Sequence, residues 1–372
     1  MKKIPLIKPV INQKKFLCDA KKIIKSGILT KGEFVEKFQQ KLSDFLKVRY
    51  VFATTSCTTA LHLSLVVLDI KPGDEVLVSD FSFPASGNVI VQAGAKPVFV
   101  DIDLETFNIN LDDLKKKITS KTKAIMVVHA FGYPANMSEI IKIAKKHKLL
   151  VIEDAACAIG SKHKDKYCGT WGDVGCFSFH PRKVITTGEG GAIVTNNPEI
   201  AKKIEILRNH GGIKAEVGMK FIECGFNYRM TEIQAAIGVE QMTHLDSMNK
   251  TRQKIAKKYI NLLKNVENLV LQKEPDDGVF NFQSFVVILP KNIDRNKVIK
   301  KMAEKGIETT LGTYAMHAQP AYKKFGYKPG DLKNSYFAYQ KALTLPLYDG
   351  LTDKQINFIT ESLKKATKNA SN

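Results

Sequence analysis

The chain contains 372 residues, more than the roughly 150 typical of one domain, so its length predicts two domains. Its 57 Lys and Arg residues exceed its 37 Asp and Glu residues, which gives a formal net charge of +20. This charge either attracts polyanions, such as phosphorylated small molecules, acidic membranes or nucleic acid, or reflects a general richness in lysine. The lysines are scattered and no RNA-recognition or zinc-finger motif accompanies them, so no nucleic-acid partner is predicted.

Cysteine spacing and hydropathy narrow the chemistry further. The six cysteines include no pair at C-x-x-C spacing, so no metal site is predicted. The sequence has no run of the roughly 18 apolar residues that a membrane span needs, and Lys8 interrupts the apolar stretch near the N-terminus. We therefore expect a cytoplasmic protein with reduced thiols and no membrane partner.

Helical and strand patterns alternate from residue 14 to about residue 240, which predicts βαβ units and a mostly parallel sheet. Two amphipathic helices are predicted within residues 14–48 and an apolar helix at 60–68. Apolar residues at 137, 140, 141 and 144 recur at helical spacing and predict another helix there. Strands are predicted at residues 50–54, 76–78, 97–101, 149–152, 175–179 and 192–194.

The pattern changes beyond about residue 241. A long lysine-rich helix is predicted at 246–265, followed by a strand at 283–288 and by helices at 295–305 and 352–365. We place a domain boundary near residue 245. The prediction is a large domain of residues 14–245 and a small C-terminal domain of residues 246–372, with residues 1–13 as a joining N-terminal segment.

Two residues at predicted strand ends indicate a cofactor. Lys183 follows the strand at 175–179 and precedes the glycine-rich stretch Thr-Gly-Glu-Gly-Gly, and Asp154 follows the strand at 149–152. Such strand ends line the ligand crevice of open α/β folds. Pyridoxal phosphate (PLP) needs a lysine amine for a Schiff base and a carboxylate that keeps its pyridine nitrogen protonated. A lone lysine is usually a surface residue, but the pair predicts PLP, with Lys183 and Asp154 as the catalytic residues.

The cofactor's phosphate needs a separate site. Ser56-Cys57-Thr58-Thr59 lies between a predicted strand and an apolar helix, where free backbone N–H groups and the helix dipole favour an anion. The hydroxyls of Ser56, Thr58 and Ser178 could add hydrogen bonds. The alternative interpretation is a plain Ser/Thr helix cap, which is the commoner use of such residues.

At this point the sequence resembles a known family, the DegT-type nucleotide-sugar aminotransferases of the fold-type I group of PLP enzymes. The resemblance runs nearly end to end. Its most specific blocks are Glu-Asp-Ala-Ala at 153–156, Ser-Phe-His-Pro-Arg-Lys at 178–183 and Gly-Phe-Asn-Tyr-Arg-Met at 225–230. The resemblance implies an α/β fold whose large domain holds a mostly parallel seven-stranded sheet between helices, with a smaller C-terminal α+β domain.

The resemblance also implies roles for individual residues. Lys183 would be the Schiff-base lysine and Asp154 the partner of the pyridinium, while Phe83 would stack on the ring or else pack in the core. Asn227 would reach the phosphate from a neighbouring subunit, so the active unit would be a homodimer with a shared site. The implied cofactor-binding set is Ser56, Cys57, Thr58, Phe83, Asp154, Cys157, Ser178, Lys183 and Asn227.

The sequence departs from the family at two of these positions. Cys157 replaces the Gln or His that normally sits near the ring hydroxyl, and Cys57 replaces a frequent Gly in the phosphate turn. Sulfur is a weak hydrogen-bond partner, so Cys157 either tunes the cofactor less or fills space. The candidate substrate contacts are Glu189, Arg229, Tyr314 and His317, of which the last two either touch the sugar or merely pack.

The resemblance implies transfer of an amino group from L-glutamate to a keto group of a nucleotide-diphosphate-linked 6-deoxysugar. The resemblance places this reaction in the synthesis of amino sugars or of surface polysaccharides such as lipopolysaccharide. Family dehydratases carry His in place of the lysine, so Lys183 argues against dehydration. Two alternatives stay open: an aminotransferase of a cyclitol or other ring ketone, and a regulatory or binding protein that keeps the fold without turnover.

Overall fold

The structure, a computed structural model, describes residues 3–368. Its largest element is a seven-stranded sheet in which only Gly191–Thr195 runs antiparallel to its neighbours. From one edge to the other the strands are Tyr50–Thr54, Gly191–Thr195, Val174–Ser178, Leu150–Asp154, Thr122–Val128, Glu75–Ser79 and Lys96–Val100. This arrangement confirms the predicted α/β fold with a mostly parallel seven-stranded sheet.

The strands Glu75–Ser79 and Val174–Ser178 are buried along their whole length, as expected for a parallel sheet covered on both faces. Helices supply that cover, and most begin at a side-chain cap: Ser56 caps the helix Cys57–Val67, and Asn136 caps Met137–His147. The α-helices are Gln13–Ser26, Glu33–Leu46, Cys57–Val67, Ala85–Gln92, Leu111–Lys116, Met137–His147, Pro198–Leu207, Glu232–Met242, Leu245–Leu263, Arg295–Glu304, Lys333–Lys341 and Asp353–Lys368.

A second, four-stranded antiparallel sheet lies in the C-terminal third of the chain. Its strands, in order, are Val270–Leu271, Phe285–Ile288, Ala342–Leu345 and Thr310–Leu311. The long helix Leu245–Leu263 joins the two parts, because Leu245 and Met248 pack in a core of the large sheet while Tyr259 and Leu263 pack under the second sheet. The predicted boundary near residue 245 falls at the start of this helix and stays a prediction.

One segment assigned to the C-terminal domain packs on the large sheet. The strand Tyr314–Ala315 pairs with Phe81–Ser82, and Met316, Tyr322 and Leu332 lie in the same apolar core as Phe99. The N-terminal segment in turn contacts the C-terminal part of the chain, because Ile4 pairs with Ile307. Residues 1, 2 and 369–372 of the predicted segments lie outside the described part of the chain.

The smaller elements are two-residue ribbons, 3-10 turns and one hairpin. The hairpin joins Gly212–Lys214 to Met219–Phe221 and is exposed along most of its length. Within residues 3–368, no helix combines the length and the apolar character that crossing a bilayer requires. The remaining elements are Lys162–His163, Lys166–Tyr167, Gly278–Val279, Ala130–Gly132, Met316–Ala318 and Pro320–Phe325.

Candidate active site

Strand register brings the predicted site residues to one edge of the large sheet. Asp154 ends its strand opposite Cys176, and Ser178 ends the next strand two residues further on. Ser178 lies opposite Gly191, which in turn lies opposite Thr54. Neighbouring strands are about 4.8 Å apart, so these strand ends form one continuous floor.

The carboxylate of Asp154 is buried and held by donors on both oxygens. The hydroxyl of Ser86 donates to Oδ2 at 2.7 Å, and the backbone N–H of Ala156 donates to Oδ1 at 3.2 Å. Ser82 extends this network, since its hydroxyl lies 2.9 Å from that of Ser86. These donors fix the orientation of the carboxylate at the strand end, as a partner of a ring nitrogen requires.

Lys183 stands on a turn directly after the strand that ends at Ser178. Its backbone N–H donates to the carbonyl of His180 at 2.8 Å, and its Nζ lies 3.1 Å from the sulfur of Cys157. Burial lowers the pKa of Lys183, but Cys157, Cys57 and Asp154 act in the opposite direction, and the net pKa is raised. The amine is therefore within electrostatic reach of Asp154 on the same floor.

The phosphate turn occupies the far end of this floor. Ser56 is the N-cap of the helix Cys57–Val67, and its hydroxyl accepts the N–H of Thr59 at 3.1 Å. Gly191 allows the turn to approach the sheet, because a Cβ there would lie 2.4 Å from the carbonyl carbon of Ser56. The Ser56 side chain is thus used as a helix cap, while Thr58 and Ser178 border the same turn.

Burial raises the pKa of the Cys57 thiol well above its ordinary range, so Cys57 is a neutral packing residue.

Phe83 is not a core residue, since 66% of it is exposed. It lies beside the two-strand ribbon that joins Phe81–Ser82 to Tyr314–Ala315, and its ring meets that of Tyr314 edge-on with centroids 6.4 Å apart. The alternative of plain core packing for Phe83 does not hold in this structure. An exposed aromatic face beside Ser82 and Ser86 is available to a planar ring.

His317 is buried and both of its ring nitrogens are occupied. Nδ1 lies 2.6 Å from Oδ2 of Asp80, and Nε2 lies 3.1 Å from the carbonyl of Pro329. His317 was expected either to touch the sugar or to pack, and in the structure it packs. Tyr314, by contrast, is only half-buried, and its contact with a sugar stays a prediction.

The remaining predicted residues are Arg229, Asn227 and Glu189. Arg229 pairs by its backbone with Thr54 and donates from Nη1 to Asn209 at 2.9 Å. Asn227 and Glu189 are exposed, and Glu189 Oε1 lies 3.9 Å from His180 Nε2. Their roles toward substrate or a neighbouring subunit stay predictions.

Sequence reasoning missed Ser86 and the Glu153–His129 pair. Oε1 of Glu153 accepts the N–H groups of Trp171 and Gly172, and Oε2 lies 2.9 Å from Nε2 of His129. Nδ1 of His129 accepts the N–H of Ala135 at 3.1 Å, so Nε2 carries the proton toward Glu153. Only the position of Glu153 beside Asp154 could have signalled this pair, which anchors the strand that carries Asp154.

The floor fits PLP on observations of this chain alone. An amine, a carboxylate held by its own donors and a glycine-lined helix start lie at one edge of the large sheet. Among residues 3–368, no group of three or more His, Cys, Asp or Glu side chains is placed to hold a metal ion. The fold and this site define a fold-type I PLP enzyme.

Comparison with known proteins identifies the family. The family model described as the DegT/DnrJ/EryC1/StrS aminotransferase family matches residues 11–364, and the chain belongs to this family. GDP-perosamine synthase of Escherichia coli O157:H7 is 36% identical over 98% of this chain and 99% of its own length. The protein is therefore a PLP-dependent sugar aminotransferase.

Solved structures of aminotransferases have the same fold as this chain. A putative sugar aminotransferase of Streptococcus pneumoniae, Spr1654 in its PMP-form, superposes with a TM-score of 0.94 at 26% identity and covers 99% of this chain and 98% of its own. Its PLP-form also has a TM-score of 0.94. Helicobacter pylori PseC, an aminotransferase involved in the biosynthesis of pseudoaminic acid, has a TM-score of 0.92 at 26% identity, with 99% and 100% coverage.

Proposed function

We propose that this enzyme moves an amino group from L-glutamate to a keto group of a nucleotide-diphosphate-linked 6-deoxysugar. The observation that carries the proposal is the common edge of the large sheet at which Lys183, Asp154 and the Ser56 turn lie. The relatives named GDP-perosamine synthase and PseC support the substrate class, because their names refer to amino sugars. The product would serve amino-sugar or surface-polysaccharide synthesis.

The residues of the chain divide the work of the site. PLP, when bound, supplies an electron sink for the reacting carbon. Asp154, fixed by Ser86 and Ala156, would keep a proton on the ring nitrogen, while Thr58 and Ser178 would hold the phosphate. Lys183 would attach the cofactor and, once released, carry a proton between positions on the reacting atoms. Phe83 would cover one face of the ring and exclude water from it.

A cationic cluster supports a diphosphate-bearing substrate. Burial lowers the pKa of Lys31, and the nearby charge of Arg229 lowers it further, while Glu205, which is paired with Arg208 at 2.8 Å, acts in the opposite direction. Positive groups that disfavour one another in this way are stabilised by an incoming anion. Arg229 lies beside the strand end at Thr54, so the cluster flanks the phosphate turn. A cyclitol or other uncharged ring ketone has no group that would use it.

We also propose that the active unit is a homodimer with a shared site. The hairpin of Gly212–Lys214 and Met219–Phe221 exposes Val217, Phe221 and Ile222, of which Val217 is 90% and Phe221 63% exposed. Exposed apolar groups that follow one another in this way mark interaction surfaces. Asn227, close behind the hairpin, is exposed and thus available to the crevice of a second copy.

Substrate class is tested with a panel of keto compounds. Purified enzyme with L-glutamate is offered nucleotide-diphosphate 4-keto- and 3-keto-6-deoxysugars and, separately, cyclitol ketones, and release of 2-oxoglutarate is followed. We expect turnover with a nucleotide-linked sugar and little with the free ring ketones. Turnover confined to ring ketones would establish the alternative substrate class. If the enzyme undergoes no half-reaction with L-glutamate, then L-glutamate is not the amino donor.

A further inference from the structure

Among residues 3–368, the side chain that forms a hydrogen bond with the Lys183 amine is the thiol of Cys157. Nζ lies 3.1 Å from Sγ of Cys157, and both side chains are only partly buried, so small solutes can reach them. The backbone carbonyl of Cys157 accepts a hydrogen bond of 3.0 Å from the buried side chain of Asn281. The sulfur is thus carried on a fixed backbone beside an amine on a short turn, which favours a reaction between them.

The other five cysteines lack this arrangement. Cys18 and Cys224 are exposed, and Cys57, Cys168 and Cys176 are buried. Burial raises the pKa of the Cys57 and Cys176 thiols well above the ordinary value, which keeps them protonated and inert. Cys157 alone combines partial exposure with an amine at hydrogen-bonding distance, and this amine donates to its sulfur.

We propose that Cys157 and Lys183 form a reversible sulfur–nitrogen cross-link when hydrogen peroxide oxidises the thiol in enzyme whose lysine is free of cofactor. The consequence for activity rests on the proposed role of Lys183 in cofactor attachment. A lysine tied to sulfur cannot hold the cofactor, so the cross-link is a modification that switches the enzyme off. Family members with Gln or His at this position have no sulfur for this reaction.

The reaction balances with peroxide as the only oxidant. The Cys157 thiolate attacks one peroxide oxygen, the O–O bond breaks, and the sulfur becomes a sulfenic acid. The departing hydroxide takes a proton from the Lys183 ammonium group and leaves as water, which makes the amine neutral. The neutral Lys183 amine then attacks the sulfur, the S–O bond breaks, and the leaving hydroxide and one amine proton form a second water. Sulfur loses two electrons and peroxide gains them. Two equivalents of an added thiol restore the free side chains and leave as a disulfide.

Mass spectrometry tests the cross-link directly. A variant with Cys18→Ser and Cys224→Ser removes the exposed thiols, and it is stripped of cofactor and treated with hydrogen peroxide. We expect the intact mass to fall by two hydrogen atoms, digestion to give one species joining the peptides of residues 157 and 183, and dithiothreitol to reverse both. Cys157→Ser in the same background must not cross-link. Oxidation of Cys157 without a link to Lys183 would overturn the proposal.

A second arm separates this inference from the proposed function. Enzyme loaded with PLP before peroxide should resist cross-linking and keep its visible absorbance, while cross-linked enzyme should regain that absorbance only after dithiothreitol. Equal cross-linking with and without PLP would show that Lys183 does not hold the cofactor, although the sulfur–nitrogen chemistry would stand. No cross-link in the stripped enzyme, with normal PLP absorbance in the loaded enzyme, would overturn only the cross-link.

Discussion

The hydroxyl of Ser86 donates a hydrogen bond of 2.7 Å to Oδ2 of Asp154, across a separation of 68 residues in the chain. Ser86 lies in the first turn of the helix Ala85–Gln92, so the helix that follows Phe83 also orients the carboxylate. Hydrogen bonds to charged groups contribute about 1.5–3 kcal/mol. We therefore expect the position of one buried serine to affect how firmly the proposed site holds the cofactor's ring.

Ser86→Ala is expected to weaken PLP binding about tenfold, which corresponds to ~1.4 kcal/mol. The variant leaves Asp154 charged but loses one of the donors that orient it. Affinity is measured by titrating stripped enzyme with PLP and following absorbance. Ser335→Ala is the matched control, because Ser335 is equally buried but its hydroxyl has no partner among residues 3–368. Equal affinities for the two variants would show that Ser86 does not act on the cofactor.

Asp154→Asn keeps the size of the side chain and removes its charge. Without the carboxylate the ring nitrogen loses its proton, so we expect turnover to fall roughly 10²-fold or more, as when one aimed electrostatic group is removed. The half-reaction with L-glutamate, followed by absorbance, measures this loss. Asp44→Asn, on an exposed helix surface, is the control and should keep full activity. An Asp154→Asn enzyme as fast as the control would refute the assigned role.

His317→Ala is expected to destabilise the fold by about 3–5 kcal/mol, because it leaves the buried Asp80 carboxylate without its partner. Burial lowers the pKa of His317, but the hydrogen bond and charge of Asp80 outweigh it, so the pKa is raised above 6.5. A raised histidine pKa stabilises the fold fully below pH 6.5, and this contribution is lost as pH rises through the folded value.

Denaturant unfolding across pH checks this prediction. The stability difference between wild type and His317→Ala should be largest in mild acid, just below pH 6.5, and shrink as pH increases. Burial raises the pKa of Asp80, so the difference should also shrink in stronger acid, where Asp80 becomes protonated. His147→Ala, at an exposed helix end, should show no comparable difference. A difference that grows as pH rises above 6.5 would mean that the pair is not held by a protonated imidazole.

Phe221→Asp places a charge on the exposed apolar hairpin and is expected to convert a dimer into monomers. Sedimentation at one fixed concentration measures the change, and activity should fall with it, because Asn227 would no longer reach a neighbouring site. Val270→Asp provides the control, since Val270 is also exposed but lies on the edge strand of the second sheet. Dimers of the Phe221→Asp variant would refute the assigned interface.

The elements with strong local patterns were predictable from the sequence. The strand Tyr50–Thr54 has the predicted limits, the helix predicted at 295–305 ends one residue earlier, and the apolar positions between 137 and 144 lie in the helix Met137–His147. The strand Thr122–Val128 was missed, since its apolar run lacks the turn residues that made its neighbours visible. Pairing of residues 314–315 with residues 81–82 was not predictable either, because a two-residue ribbon has no periodicity and forms only through tertiary packing.

Site residues divide in the same way. Lys183, Asp154 and the Ser56 turn carry motif signals at strand ends, so their residue types and their order along the chain are enough to predict a role for them. Ser86 and the Asp80–His317 pair carry no such signal, because each partner is distant in sequence and its role arises from burial. The 3.1 Å contact between Lys183 and Cys157 likewise depends on how two turns face each other.

The most direct test of the central claim asks which lysine holds the cofactor. Purified enzyme loaded with PLP is reduced with borohydride, digested, and examined by mass spectrometry for the peptide that retains the pyridoxyl group. Lys183 should be the labelled residue, and Lys183→Ala should lose both the label and the visible absorbance of the wild type. A label on another lysine, or full turnover by Lys183→Ala, would contradict the account.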